Sequence, residues 1–233
     1  MRGTRKKINI RRLAIKGSLS KRVYVELKRA ILEGNFSPGE LLPEDFLTAA
    51  TGASRTPVRE ALMLLQGDGL VEIVPRKGAR VLEMNSEELA ELVEARMLLE
   101  TAFFDRSLGK IPLKMLEKFK DDMAEIIVEM QLIETTSPLW AEKRSEYSQL
   151  DFKFHRSLVE AIDNRFLLNY YNNLLDRVIV YSYHTIIKYP SAFMKSAEEH
   201  DDILNAMLNG DNEKAKKLIE MHLQQLNYRL TRV

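Results

Sequence analysis

The chain has no cysteine in its 233 residues, which removes disulfides, zinc ribbons and thiol nucleophiles together and fits a reducing compartment. Any metal site must therefore use histidine and carboxylate. No uninterrupted apolar run approaches the roughly 20 residues that a membrane-spanning helix needs, and the basic start lacks the apolar core of a secretory signal. The expectation is a cytoplasmic protein with no membrane partner. Internal repeats and low-complexity segments are also absent, and the length suits two domains of roughly 70 and 150 residues.

Charge divides the chain where its total hides a division. Residues 1–85 carry 16 Lys and Arg against 9 Asp and Glu, and the remainder carries 19 against 25, so balances of +7 and −6 nearly cancel. Phosphate contacts supply most non-specific affinity for DNA, so a basic first third points to a DNA-binding module joined to a partner with another task. Residues 1–17, with Arg2, Arg5, Lys6, Lys7, Arg11, Arg12 and Lys16 and no acidic residue, read as a flexible basic arm. It either lies along DNA phosphates or has no specific task.

Over 18–84, periodicity predicts three short helices followed by a hairpin. Val23, Leu27, Ala30 and Ile31 recur at helical spacing before Gly34-Asn35, Glu44–Ala50 gives a second helix, and Ser54 is placed to cap a third that ends near Gly67. Two β-rich runs, Leu70–Val74 and Ala79–Leu82, flank Pro75-Arg76-Lys77-Gly78, a turn with cations at its tip. Three helices and a basic hairpin make a winged helix-turn-helix. In its third helix Val58, Ala61, Leu62 and Leu65 form the apolar stripe, which leaves Arg55, Thr56 and Arg59 together on the opposite side near the N-terminus. A recognition helix keeps its base-reading side chains there, and two arginines one turn apart can each pair with guanine O6 and N7.

Beyond Asn85 the β signal disappears and 3.6-residue periodicity runs through segments near 86–108, 112–134, 138–162, 164–187, 191–209 and 212–230, so 86–233 is read as an all-α antiparallel helical bundle. The fold class is mainly α. Three of its four histidines interrupt apolar stripes: His155, with Asp151 one turn before it, lies on the face of Tyr147, Phe154 and Leu158; His200 sits among Phe193, Ala197 and Leu204; His222 sits among Ala215, Leu218 and Ile219. A carboxylate buried alone is costly, whereas Asp151 and three neutral imidazoles around a divalent cation satisfy one another. Such a set suits a transition metal, zinc first, then nickel, manganese or iron, and octahedral coordination leaves two positions open. Arg96 lies on the stripe of Leu89, Val93 and Phe103, placed either to neutralise an effector carboxylate or to pair with Glu100 one turn away. His184, Tyr170, Tyr171, Tyr181 and Tyr183 read mainly as core or interface, with pocket lining as the alternative.

The run Ser54-Arg55-Thr56-Pro57-Val58-Arg59-Glu60-Ala61-Leu62, followed by Gly69-Leu70-Val71 and Pro75-Arg76-Lys77-Gly78, resembles the GntR family of bacterial transcriptional regulators. The resemblance implies that Ser54, Arg55, Thr56 and Arg59 bind DNA through the helix, while Arg76, Lys77 and Gly78 form a wing tip for the minor groove. Where FadR-like members often carry a DNA-contacting arginine early in the second helix, this sequence has Asp45, a departure that bears on operator preference. Asp151-Phe152-Lys153-Phe154-His155, Glu199-His200 and Met221-His222-Leu223 resemble the Asp and three His of the FCD effector-binding domain, and Glu94 to Glu100 resembles its first helix. The resemblance further implies a homodimer, a pseudo-palindromic double-stranded operator and a small organic acid effector that completes the metal's shell.

Two other readings compete. In one, the same polar set binds no metal and lines an acyl-type pocket. In the other, the chain is a metallohydrolase with an incidental basic module, set aside because there is no HExxH and no obvious inward Glu beside the ligands.

Overall fold

The computed structural model describes residues 17–186 and 190–231. The arm at 1–16 and the side chains of Tyr183 and His184 lie outside the described part. The chain separates into two units, one holding the residues up to Met84 with 179–184, the other 85–178 with the residues from Thr185 onward.

In the first unit, α1 (Leu19–Leu32), α2 (Glu44–Thr51) and α3 (Arg55–Gly67) enclose a core of Val23, Leu27, Ile31, Leu47, Val58, Leu62 and Leu65. The strands are β1 (Leu41–Leu42), β2 (Val71–Val74) and β3 (Gly78–Val81), with β3 in the middle of an antiparallel sheet. Strand β1 is too short to show period-2 alternation, which is why periodicity alone gave only the hairpin. It pairs Leu41 with Arg80 and Leu42 with Ala79. Ser54 stands at the N-cap of α3 in extended conformation, but its side chain makes no cap hydrogen bond, so the capping expected of it is corrected to backbone geometry alone. The tight corner before it closes on Gly52, which ends α2 in the left-handed region at φ 67°.

The second unit contains α4 (Ser86–Ser107), α5 (Leu113–Gln131), α6 (Pro138–Glu160), most of α7 (Arg165–Ile186), α8 (Pro190–Leu208) and α9 (Asn212–Thr231). Helix α4 starts sharply because Asn85 Oδ1 accepts from the Glu87 and Glu88 amides, both at 2.9 Å, while Glu88 accepts from the Asn85 amide at 2.9 Å. Ser137 caps α6 with Pro138 in its first turn, and Asn164 Oδ1 accepts from the Phe166 and Leu167 amides at the start of α7. Phe104, Phe119, Phe154, Leu158, Ile203, Leu204, Ile219 and Leu223 form the core between these helices. Its packing brings α4, α6, α8 and α9 side by side.

Candidate functional sites

The four metal-type residues predicted from the sequence meet in the second unit. His155 on α6, His200 on α8 and His222 on α9 are buried, each with a ring nitrogen within 4.8 Å of the other two. Asp151 Oδ1 lies 3.0 Å from His200 Nε2 and 3.2 Å from His155 Nε2, and those two nitrogens are 3.1 Å apart. Ligands about 2.1 Å from one metal ion stand about 3.0 Å apart along an octahedral edge and about 3.4 Å along a tetrahedral one. The spacings among Asp151, His155 and His200 fit donors sharing one ion, as they also fit hydrogen bonds.

The far side of each ring supports this reading. His155 Nδ1 donates to Glu100 Oε2 at 2.5 Å, His222 Nδ1 donates to Glu199 Oε2 at 2.9 Å, and His200 Nδ1 lies 3.4 Å from the Tyr147 hydroxyl. An imidazole that donates from Nδ1 keeps a lone pair on Nε2, so these partners fix ring orientation and leave Nε2 able to serve as a ligand. Burial and the neighbouring His200 push His222 down to about 3, which keeps it neutral and able to ligate. Asp151 Oδ1 is buried without a hydrogen-bond partner among the described residues, although the side chain as a whole is 21% exposed. An orphaned carboxylate oxygen facing converging imidazoles fits a cation between them.

Glu100 ties this cluster to Arg96. Its Oε1 accepts from Arg96 Nε at 2.5 Å and from the Tyr171 hydroxyl at 2.6 Å, while its other oxygen serves His155. Burial opposes its charge, but Arg96 and then His155 outweigh that and hold the carboxyl well below the usual carboxylate range. Arg96 pairs with Glu100, yet among the described residues its buried Nη2 has no hydrogen-bond partner, so both roles remain. The expectation that no glutamate points inward beside the ligands is overturned by Glu100 and Glu199. Sequence pattern missed them because Glu100 read as Arg96's partner, and Glu199 read only as His200's neighbour in the chain. Tyr147 and Tyr171, read as stripe and core, are buried but place their hydroxyls at His200 and Glu100.

In the first unit, Val58, Ala61, Leu62 and Leu65 are buried while Ser54, Arg55, Thr56 and Arg59 are exposed at the start of α3. Arg55 Nη2 lies 2.9 Å from Asp45 Oδ1, and Arg59 Nε lies 2.8 Å from Glu44 Oε1. Arg76 and Lys77 are exposed in the β2–β3 turn, with Arg76 in the left-handed region at φ 62°. Gly78 is buried beneath that tip rather than exposed on it. A Cβ there would lie 2.2 Å from the Leu42 carbonyl oxygen, so glycine is needed for β3 to pass β1.

Residues 91–225 match the FCD domain family, and residues 19–81 match the bacterial regulatory proteins of the gntR family. The chain belongs to the GntR family and carries an FCD domain. This GntR protein is 34% identical over 159 residues to the gluconate operon transcriptional repressor of Bacillus subtilis (strain 168), covering 68% of the chain but only 61% of that relative's length. It is 26% identical to the HTH-type transcriptional repressor GlaR of Escherichia coli (strain K12), over 86% of the chain and 90% of the relative. A solved GntR regulator from Rhodococcus sp. RHA1 shares the fold, with TM-score 0.75 and 22% identity over 92% of this chain and 98% of that one. The mainly helical architecture of winged helix-turn-helix and helical FCD domain is that of the family, and the family is one of transcriptional regulators rather than enzymes. The metallohydrolase reading falls on that ground. Among the described residues no helix is long and apolar enough to cross a membrane.

Proposed function

We propose that this GntR protein is a cytoplasmic, homodimeric regulator that binds a pseudo-palindromic operator and releases or grips it in response to a small organic acid held at a metal centre. The observation that carries the sensing half is the convergence of Asp151 Oδ1 with His155, His200 and His222, each ring held from behind by Glu100, Tyr147 or Glu199. Asp151, His155, His200 and His222 would hold the ion, zinc first, then nickel, manganese or iron. When bound, the ion offers open coordination positions to a ligand carboxylate.

Arg96 supplies the second recognition element. Its Nη2, without a partner among the described residues, can donate to an acid group, and burial makes that charge-assisted hydrogen bond strong. Hydroxycarboxylates and dicarboxylates present such groups, and the similar Bacillus subtilis repressor is named for the operon of gluconate, a hydroxycarboxylate. On the DNA side, Arg55, Thr56 and Arg59, with Ser54 at the phosphate backbone, read the major groove, and Arg76 and Lys77 above Gly78 reach the minor groove. Exposed Leu98, Phe166 and Tyr170 offer apolar surface for the second protomer.

The competing metal-free pocket instead puts a proton on one of two Nε2 atoms 3.1 Å apart, from which His200 at 3.0 Å or His155 at 3.2 Å can donate to Asp151 Oδ1. Elemental mass spectrometry on untagged protein, purified without chelator, separates the two. The expected result is about one transition metal per chain, lost in Asp151→Ala, with His200→Ala losing effector response too. Protein that carries no metal and also fails to bind added zinc, nickel and manganese would overturn the metal centre.

A further inference from the structure

The surface that α3 presents is not simply cationic. Two acidic residues in the first turn of α2 reach across to it, so each α3 arginine arrives with a carboxylate beside it: Asp45 at Arg55 and Glu44 at Arg59. The two pairs differ. Glu44 is only 24% exposed and grips Arg59 at Nε, the arrangement of a strut that aims a guanidinium. Asp45 is 80% exposed beside an Arg55 that is 66% exposed, and its Oδ2 has no partner among the described residues. An ion pair this open adds little stability, so holding the fold together does not account for it.

On a surface meant for phosphate, a bare carboxylate opposes binding to every duplex alike. In the major groove, however, guanine offers O6 and N7 as acceptors while cytosine offers its N4 amino group as a donor. The Arg55 and Asp45 pair displays the complementary pattern, a donor fork adjoining a free acceptor. We propose that Asp45 is a base-reading residue: with Arg55 it recognises guanine next to an amino-bearing edge, chiefly cytosine N4, and it lowers affinity for non-cognate DNA. A thymine O4 or guanine O6 at the same place meets a carboxylate with no proton to share. Specificity then comes from repulsion as well as attraction. Glu44 acts through Arg59 as a positioning residue and is not part of this readout.

The inference rests on α3 being the recognition helix, and one experiment tests the two separately. Wild type, Asp45→Asn, Arg55→Ala and Arg59→Ala are each used at full length to select from a randomised duplex library, and each is titrated with non-selected duplex at several salt concentrations. Thermal unfolding confirms that each variant is folded. Asp45→Asn is expected to lose the preference at one base pair per half-site, adjoining the guanine that Arg55→Ala loses. It should also bind random duplex about fivefold more tightly, with a salt slope steeper by about 0.9. An unchanged selected sequence in Asp45→Asn, with random-duplex affinity within twofold of wild type, overturns the inference even if Arg55→Ala and Arg59→Ala erase the selected sequence. If those two variants leave the selected sequence intact, the recognition-helix reading falls and this inference falls with it.

Discussion

Glu100 holds His155 with one oxygen and Arg96 with the other, at 2.5 Å in each case, and all three side chains are buried. The carboxylate thus balances a buried guanidinium and orients a metal-facing imidazole at once. Replacing Glu100 with Gln leaves Arg96 as an uncompensated buried charge, which costs about 3–5 kcal/mol, and loosens His155, which lowers metal affinity about 10- to 100-fold. Urea unfolding reads the first effect and competition with a chromogenic chelator the second. Metal affinity unchanged in folded Glu100→Gln protein contradicts the orienting role.

Tyr171→Phe separates the two effects. It removes one donor to Glu100 Oε1 while the Arg96 bond remains, so the expected loss is about 1 kcal/mol. Metal affinity should stay within a few-fold of wild type in the same chelator competition. A loss as large as that of Glu100→Gln would place Tyr171 among the groups that hold the ion's surroundings.

Metal removal should destabilise the FCD domain, because an ion that binds only the folded site adds about 2.7 kcal/mol at a hundred times its dissociation constant. At about 2–4 °C per kcal/mol for a domain of this size, stripping with chelator should lower the melting temperature by roughly 5–10 °C. Returning zinc should restore it. Differential scanning calorimetry with and without chelator provides the comparison, and superimposable traces count against a structural contribution from the ion.

Wing and helix should fail differently. Arg59→Ala should abolish sequence-specific binding while leaving the melting temperature within a degree or two, since the side chain is 62% exposed. Lys77→Ala should weaken binding to all duplexes alike and reduce the salt slope by about 0.9. Fluorescence anisotropy against cognate and random duplexes over a salt series distinguishes these outcomes. Equal loss of specificity in both variants would mean that the tip also reads bases.

Gly78→Ala should loosen the winged helix at the base of its wing. A Cβ at this position lies 2.2 Å from the Leu42 carbonyl oxygen at a φ of 121°, so β1 and β3 must separate, at a cost of about 1–3 kcal/mol. Hydrogen exchange on the full chain should show amides of 41–42 and 71–81 losing protection while those of α4 to α6 keep theirs.

The winged helix, the helical second domain, the exposed arginines of α3 and the inward set Asp151, His155, His200 and His222 were all legible in the sequence. Each depends on periodicity within one segment: an apolar stripe fixes which face of a helix is buried, and any polar residue on that face must find a partner. The identity of those partners was not legible. Glu100 and His155 are 55 residues apart, Glu199 and His222 are 23 apart, and Asp45 and Arg55 sit on different helices. Their pairing depends on how α4 lies against α6, α8 against α9, and α2 against α3, which local pattern does not encode. Strand β1 escaped for the same reason, since two residues become a strand only when β3 is beside them. The sequence alone therefore determined which residues turn inward and which face out; the tertiary structure decided which of them meet, because burial is a property of one helix face whereas a hydrogen bond requires two.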